Sequence, residues 1–153
     1  MDKIYRNRGN IKTKMIQLII ADDDIKVRSA INLLLEQDRA CWQVVSEVRD
    51  VDELFLAVEK NKPQLLLLDW ELPNVCCSKL GTDNLVVWER IKRLRKINPL
   101  MYIIVLSSKP QSRAEAIFSG VDAFVAKTDP PEVFLNALNL VCEQEARLSL
   151  THI

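Results

Sequence analysis

The sequence predicts an α/β fold: a doubly wound sheet of five parallel strands in the order 2-1-3-4-5, with five helices on its two faces. Two observations lead to this prediction. Five short apolar runs of strand length, most of them without polar alternation, are typical of strands that are covered on both faces. Segments with helical spacing lie between them, and regular alternation of strands and helices favours a parallel sheet joined by right-handed crossovers.

The apolar runs define the predicted strands. In chain order, they are Met15–Ala21, Trp42–Val48, Gln64–Leu68, Met101–Leu106 and Ala123–Ala126. Three of the intervening segments carry a clear apolar stripe at the i, i+3, i+4, i+7 spacing of one helix face. These stripes are Val27, Ala30, Ile31, Leu34 and Leu35; Val51, Leu54, Phe55 and Val58; and Val87, Trp88, Ile91 and Leu94.

Capping signals predict where two of the helices begin. Asp50 precedes the second helix, and Glu53 lies three residues later, as in a capping box. The same pattern at Ser112 and Glu115 predicts a shorter fourth helix, which should end at Gly120.

The fifth helix is predicted to begin after Asp129, with Pro130 at its first position. Its apolar residues are too numerous to face one core. We therefore expect some of them to be exposed and to form a homodimer or partner surface. They are Val133, Phe134, Leu135, Leu138, Leu140 and Val141.

Length and composition indicate one domain without a membrane segment. The 153 residues suit a single core, which we place at residues 15–147, between a flexible basic arm (1–14) and a C-terminal tail (148–153). Lys+Arg and Asp+Glu both number 21, so no overall charge favours nucleic acid or membrane binding by this chain. No apolar run approaches a membrane span, and no secretion signal is present, so we expect a cytoplasmic protein.

The cysteine and histidine content excludes several kinds of site. Cys41, Cys76, Cys77 and Cys142 form no C-x-x-C motif, and reduced thiols are the expectation in a cytosolic protein. The only histidine, His152, lies at the C-terminal fringe, which excludes histidine-based catalysis and most zinc chemistry. The role of the adjacent pair Cys76-Cys77 stays open.

Polar residues follow the predicted strands at the edge where an open α/β sheet binds ligands. The first strand ends in Asp22–Asp24, the third in Asp69, the fourth in Ser107-Ser108 and the fifth in Lys127. Converging carboxylates repel one another unless a cation lies among them. A site of oxygen ligands alone suits Mg²⁺, so the sequence predicts a magnesium site with a lysine and a hydroxyl beside it.

These motifs resemble those of two-component response regulator receiver domains, which have a flavodoxin- or CheY-like fold, over roughly residues 15–145. The matching residues are Asp22 and Asp23, Asp69 within LLLLDWELP, Ser107 within VLSS, and Lys127 within AFVAK. The segment KTDPPE, which begins at Lys127, is similar to the NarL/LuxR-type subgroup. The resemblance implies a signalling switch that is phosphorylated by a histidine kinase or phosphotransfer protein, and not an enzyme in the usual sense.

The resemblance also implies a role for each site residue. Asp69 would accept the phosphoryl group, and Lys127 and Ser107 would contact it. Mg²⁺ would be bound by Asp23, by Asp69 and by the backbone carbonyl of Glu71, with Asp22 acting mainly through a water molecule.

Three further residues are expected to modulate the switch. Phe124 occupies the position of the aromatic that moves with the Ser107 equivalent in this family, although an ordinary core phenylalanine is the alternative. Glu71 and Lys109 lie two residues beyond Asp69 and Ser107, so we expect them at the mouth of the site. Their charges would pair there and slow phosphate loss, with two solvated loop charges as the alternative.

Two features depart from the family pattern. A long segment, Asn74–Asn84, replaces the usual short loop with glycine, and Thr128 follows Lys127 where many relatives have proline. The first departure leaves the loop conformation and the choice of partner open, and neither departure removes a site residue. The role of the long segment stays open, as do the kinase, the stimulus and the output.

Other functions fit the same elements less well. A flavodoxin-like nucleotide or flavin binder needs a phosphate loop where this chain has three carboxylates. A haloacid dehalogenase-type phosphatase needs a second aspartate at the position of Glu71. The main alternative is a pseudo-receiver, an interaction module that is never phosphorylated; the complete set of site residues argues against it.

Overall fold

The sheet has the predicted topology. The computed structural model describes residues 15–38, 41–75, 78, 80 and 85–151. Its five parallel strands lie in the order β2-β1-β3-β4-β5, which confirms the predicted order 2-1-3-4-5. The strands are β1 Ile16–Ala21, β2 Trp42–Val48, β3 Leu65–Asp69, β4 Tyr102–Ser107 and β5 Ala123–Ala126.

Five helices connect and follow the strands. They are α1 Ile25–Leu35, α2 Val51–Asn61, α3 Val87–Ile97, α4 Arg113–Phe118 and α5 Pro131–Thr151. Short 3₁₀ turns follow α1 and precede α4. None of the described helices is long and apolar enough to cross a membrane.

The sheet is buried on both faces. Leu66 and Leu68 of β3 belong to a core cluster with residues of α2, α3 and α4. Leu65 and Leu67, one residue away along the strand, belong to a second cluster with residues of α1 and α5. Because both faces are covered by helices, ligands can reach the middle strands only at the edges of the sheet. The polar site residues lie at one of these edges, which the carboxyl ends of the strands form.

The N-termini of α1 and α2 are capped by aspartates. Asp24 accepts a hydrogen bond from the backbone N–H of Lys26 at 2.9 Å, and Asp50 accepts one from Glu53 at 2.9 Å. The Glu53 side chain accepts from the backbone N–H of Arg49 at 2.9 Å, so the capping box closes one residue earlier than predicted.

The start of α4 differs from the prediction. A 3₁₀ turn from Pro110 precedes the helix, which begins at Arg113. Ser112 therefore has a helical backbone (φ −79°, ψ −4°) and makes no side-chain cap, because a capping side chain needs an extended backbone. After the helix, Gly120 adopts a positive φ of 99°, which suits the predicted glycine stop.

The buried face of α3 differs from the predicted stripe in two residues: Trp88 is not part of it, and Arg90 is. Ile91 and Leu94 are fully buried, but Trp88 is 50% exposed. Arg90 is buried instead. Val87, Ile91 and Leu94 lie along one face of the helix, and Trp88 lies about 100° away from Val87 around the axis.

Helix α5 begins one residue later and continues further than expected. Pro131, and not Pro130, is its first residue, and the helix extends to Thr151, beyond residue 147. Phe134, Leu138 and Val141 are buried. As expected from the apolar surplus, other residues of this helix are exposed, among them Val133 and Leu140.

Several expectations lie outside the described residues. These are the basic arm at 1–14, the adjacent Cys76-Cys77, His152 and most of the Asn74–Asn84 segment. Of the last, the structure describes Asn74, Val75, Ser78 and Leu80.

Candidate functional site

The carboxyl edge of the sheet brings the predicted site residues together. Asp22 and Asp23 follow β1, Asp69 ends β3, Ser107 ends β4 and Lys127 follows β5. Carboxylate oxygens of the three aspartates lie within 4.8 Å of one another. Asp22 and Asp69 are buried, whereas Asp23 is exposed. The three acidic side chains therefore form one cluster, with Asp23 on its solvent-exposed side.

Lys127 bridges two of these carboxylates. Its Nζ lies 2.9 Å from Oδ2 of Asp22 and 3.2 Å from Oδ1 of Asp69. Burial acts to lower the pKa of Lys127, but its hydrogen bond to Asp22 and the nearby charge of Asp69 hold that pKa above its ordinary value. The lysine thus stays charged and neutralises part of the acidic cluster.

Burial has the largest effect on the pKa of Asp69. It raises the pKa of Asp69 to about 6, although the charge of Lys127 acts in the opposite direction. The charge of Asp22 raises this pKa further. The positive charge of Lys127 therefore does not neutralise the acidic cluster completely. Additional positive charge would favour the ionised form of Asp69.

Backbone groups hold the two buried aspartates in place. Oδ1 of Asp22 accepts from the N–H of Asp24 at 2.9 Å, and Nη1 of Arg28 donates to the carbonyl of Asp22 at 2.7 Å. Oδ1 of Asp69 accepts from the N–H of Glu71 at 3.0 Å, which places the backbone of residue 71 beside the cluster. Within the described part of the chain, Oδ2 of Asp69 has no hydrogen-bond partner.

The donor set fits the hard divalent cation that the sequence predicts. The cluster consists of three carboxylates, with no cysteine or histidine among them. Oxygen ligands of this kind suit Mg²⁺, and the cluster has no sulfur or imidazole that would favour zinc. The uncompensated negative charge on Asp69 is a second feature that a cation would relieve.

The Glu71 side chain binds the end of β4. Its carboxylate accepts from the hydroxyl of Ser107 at 2.6 Å, from the hydroxyl of Ser108 at 2.8 Å and from the N–H of Ser108 at 2.9 Å. Partial burial acts to raise the pKa of Glu71, but these hydrogen bonds hold it below its ordinary value. Glu71 is thus an ionised acceptor beside the site.

This arrangement differs from the expected pair between Glu71 and Lys109. Among the described residues, no ion pair joins the two side chains. The backbone N–H of Lys109 instead donates to the hydroxyl of Ser107 at 3.0 Å. The serine donors lie closer to Glu71, and an exposed lysine gains little from an ion pair in water.

Phe124 is buried in β5 below the edge of the sheet. The guanidinium carbon of Arg113 lies 5.0 Å from the centroid of its ring, a distance typical of a cation–π contact. The sequence gives no sign of this partner, because Arg113 lies on α4 and no motif relates it to β5. In this structure the phenylalanine ring therefore points inward.

Arg90 is a second residue that the sequence analysis missed. It projects from α3 and is buried, and Nη1 donates to the carbonyl of Leu72 at 2.6 Å. Nη2 donates to Oδ1 of Asn74 at 3.1 Å. Both acceptors lie in the loop that follows Asp69. Arg90 lies beside the apolar stripe of α3 and belongs to no recognisable sequence motif.

Comparisons with known proteins agree with this geometry. The family model described as response regulator receiver domain matches residues 18–139. The chain is 29% identical over 140 residues to the probable transcriptional regulatory protein SgaR of Hyphomicrobium methylovorum, covering 90% of this chain and 60% of that protein. It is 26% identical over 126 residues to the phosphate regulon transcriptional regulatory protein PhoB of Pseudomonas aeruginosa, covering 81% and 50%. The chain thus spans about half to three fifths of the length of these curated relatives.

Solved structures show the same fold. The response regulator RcsB of Salmonella typhimurium aligns with a TM-score of 0.73 at 26% identity, covering 89% of this chain and 66% of that one. The isolated receiver domain of RcsB from Salmonella enterica serovar Typhimurium, solved with the phosphomimetic BeF3-, aligns with a TM-score of 0.69 at 26% identity, covering 82% and 86%. The signal receiver domain described as that of the putative response regulator NarL from Mycobacterium tuberculosis agrees in fold, with a TM-score of 0.68 at 17% identity, covering 86% of this chain and 98% of that one. With its fold, its acidic cluster and a family match over most of its length, this chain belongs to the response regulator receiver domain family.

Proposed function

We propose that this receiver domain accepts a phosphoryl group on Asp69 from a histidine kinase or a phosphotransfer protein. The observation that carries the proposal is the contact of Lys127 with both Asp22 and Asp69, within a cluster of three carboxylates. Such a cluster combines an acidic nucleophile, a fixed cation and oxygen ligands for a metal. Phosphoryl transfer requires chiefly this kind of positioning and charge neutralisation.

Asp69 is the nucleophile in this proposal. Its Oδ2 is the oxygen without a hydrogen-bond partner among the described residues. That oxygen attacks phosphorus, the bond from phosphorus to the donor breaks, and an acyl phosphate forms. Lys127, already 3.2 Å from Oδ1 of Asp69, pairs with the new phosphoryl oxygens.

Magnesium is the cofactor that the donor set fits. Asp23, Asp69 and the backbone carbonyl of Glu71 would bind Mg²⁺ directly, and Asp22 would act mainly through a water molecule. When bound, the ion supplies positive charge that neutralises the phosphoryl oxygens. The chain's own residues supply the nucleophile, the lysine and the hydroxyl of Ser107.

Switching in this proposal depends on Ser107. Its hydroxyl donates to Glu71 in the described state and would donate to the phosphoryl group after transfer. The exchange would release the β4–α4 connection from Glu71, and Phe124 in the neighbouring strand would adjust with it. The movement would thus pass from the site to the surface of α4 and β5.

The location and output of the switch are also proposals. We place the switching unit at residues 15–147, in the cytoplasm where such kinases present their phosphoryl groups. SgaR and PhoB are named as transcriptional regulators, and the chain covers only part of each. We therefore propose control of transcription as the output, with no direct nucleic-acid contact by this chain.

One observation favours the alternative of a pseudo-receiver. The Ser107 hydroxyl that a phosphoryl group requires is already bound to a carboxylate. Beryllofluoride, a phosphoryl mimic, distinguishes the two functions when it is added together with Mg²⁺. If the chain is a switch, the wild type binds beryllofluoride through Asp69 and Asp69→Asn does not. If it is a pseudo-receiver, neither the wild type nor Asp69→Asn binds beryllofluoride.

A further inference from the structure

We infer that Arg90 is a positioning residue that holds the loop after β3 in the geometry required for Mg²⁺ binding. The inference rests on the proposed function, because it assumes that the carbonyl of Glu71 is a metal ligand. Arg90 belongs to α3, far from the strand ends in sequence, and is only 5% exposed. Its guanidinium reaches the loop between Asp69 and α3.

The guanidinium holds two points of this loop at once. Nη1 donates to the carbonyl of Leu72 at 2.6 Å, and Nη2 donates to the side-chain oxygen of Asn74 at 3.1 Å. Leu72 immediately follows Glu71, and its N–H donates to the carbonyl of Asp69 at 3.1 Å. The loop is therefore tied to the phosphoacceptor strand at one end and to α3 by Arg90, with Glu71 between the two ties.

Stability alone does not account for an arginine at this position. Its Nε is buried without a hydrogen-bond partner among the described residues. Burial also lowers the pKa of Arg90, which shows that its charge is costly there. An apolar residue of similar size would avoid both costs, but it could not supply the two donors that reach the Leu72 carbonyl and the Asn74 side chain. The arginine therefore fits a role in the loop better than a role in the core.

The contacts favour a geometric role over a purely electrostatic one. Both acceptors are neutral oxygens, one a backbone carbonyl and the other an amide. The planar guanidinium donates to both at a fixed separation, which a lysine ammonium does not reproduce. If Arg90 acted only as a positive charge near the acidic cluster, lysine would replace it.

Mg²⁺ titration by calorimetry, combined with denaturant unfolding of the metal-free protein, tests this inference. Arg90→Met should weaken Mg²⁺ binding about tenfold, the lower end of the loss typical when a partner of a metal ligand is removed. Its free energy of unfolding should fall, because the Leu72 carbonyl loses its buried donor. The Mg²⁺ affinity of the folded protein is the readout that a purely stabilising role would leave unchanged. Arg90→Lys should lose as much affinity as Arg90→Met, and Asn74→Ala, which keeps the Leu72 contact, should lose less.

Arg95→Met is the matched control. Arg95 is on the same helix, but its partners Met101, Gly120 and Asp122 lie at the opposite edge of the sheet. This variant should keep wild-type Mg²⁺ affinity.

Four results would overturn the inference. Wild-type affinity in Arg90→Met, or restored affinity in Arg90→Lys, would do so while leaving the proposed function intact. A wild-type protein that does not bind Mg²⁺ would overturn the proposed function and this inference together. If Arg90→Met does not fold, arginine serves stability after all, and unaltered affinity in Asn74→Ala would then complete the refutation.

Discussion

Oε2 of Glu71 lies 2.6 Å from Oγ of Ser107, so a carboxylate occupies the hydroxyl that the proposed phosphoryl group needs. Ser108 adds two further donors to the same carboxylate. Glu71 therefore competes with a phosphoryl group in two ways: it engages the donor, and it adds negative charge beside the site.

Removal of this competitor should strengthen the binding of a phosphoryl mimic. We expect Glu71→Ala to bind beryllofluoride with Mg²⁺ about tenfold more tightly, since hydrogen bonds to charged groups contribute about 1.5–3 kcal/mol. Titration of both proteins at fixed Mg²⁺ measures the difference. Lys109→Ala is the control, because that side chain makes no ion pair with Glu71 among the described residues, and it should match the wild type. Equal affinity in Glu71→Ala and wild type would contradict the competition.

As a charged pair, Glu71 and Lys109 would slow phosphate loss. The structure places Glu71 on the serines instead, so Lys109→Ala should leave the rate of phosphate loss unchanged. Glu71→Ala should change that rate, and the double variant should behave like Glu71→Ala. Phosphate release measured over time for the three variants checks this. If Lys109→Ala by itself changes the rate of phosphate loss, the charged pair of Glu71 and Lys109 controls that rate after all.

Asp69 should make the metal-free protein less stable as the pH rises. Its pKa is raised from the ordinary 3.8 to about 6 in the folded state. The folded protein therefore holds this proton more tightly than the unfolded chain. The resulting stabilisation is complete below 3.8 and is lost as the pH rises through about 6.

Asp69→Asn should remove this part of the pH dependence. The difference between the pH profiles of the two proteins should be on the order of 3 kcal/mol, since one pKa unit corresponds to about 1.4 kcal/mol. Denaturant unfolding with a chelator present measures it. Mg²⁺ should stabilise the wild type at neutral pH and not the variant. Parallel profiles for both proteins would show that Asp69 does not titrate as described.

The strands could be predicted to within one residue at each end, because a strand covered on both faces must be apolar along its whole length. The same argument placed Asp22, Asp69, Ser107 and Lys127 at one edge. The carboxyl ends of parallel strands always lie at the same edge of the sheet. The order of the strands and the residues at their ends therefore determine the site together.

The partners of individual side chains could not be predicted in the same way. Periodicity assigned Trp88 to the buried stripe of α3 and left out Arg90, since a tryptophan resembles a core residue and an arginine does not. The long aliphatic stem of Arg90 can cross the core to polar acceptors in a loop, which only the tertiary structure reveals. The contact of Glu71 with Ser107 likewise depends on side-chain direction in two loops and not on spacing.

Asp23 should be necessary for tight Mg²⁺ binding, because it is the exposed member of the acidic cluster and the proposed direct ligand on its solvent side. The fluorescence of Trp70, a buried neighbour of Asp69, should respond to Mg²⁺ in the wild type. Asp23→Ala should shift the midpoint of this titration to higher concentration by about tenfold or more. Trp70→Phe assigns the signal. An undiminished response in Asp23→Ala would remove Asp23 from the site.

Helix α5 should support self-association when the switch is on. Leu140 is 58% exposed on α5, and we expect beryllofluoride with Mg²⁺ to shift the protein toward a dimer by about 1–3 kcal/mol, a typical coupling free energy. Leu140→Asp should abolish this shift in sedimentation experiments. Leu56→Asp is a matched control, since Leu56 on α2 is 57% exposed. A wild-type protein that stays monomeric under both conditions would refute the interface.

Phosphorylation of Asp69 is the central claim, and intact-mass measurement after incubation with acetyl phosphate and Mg²⁺ tests it most directly. The wild type should gain one phosphoryl group, and this group should be lost under conditions that hydrolyse acyl phosphates. Asp69→Asn should gain none, and the wild type should gain none when a chelator removes Mg²⁺. A wild-type protein that stays unmodified, or an equal mass gain in Asp69→Asn, would contradict the proposed function.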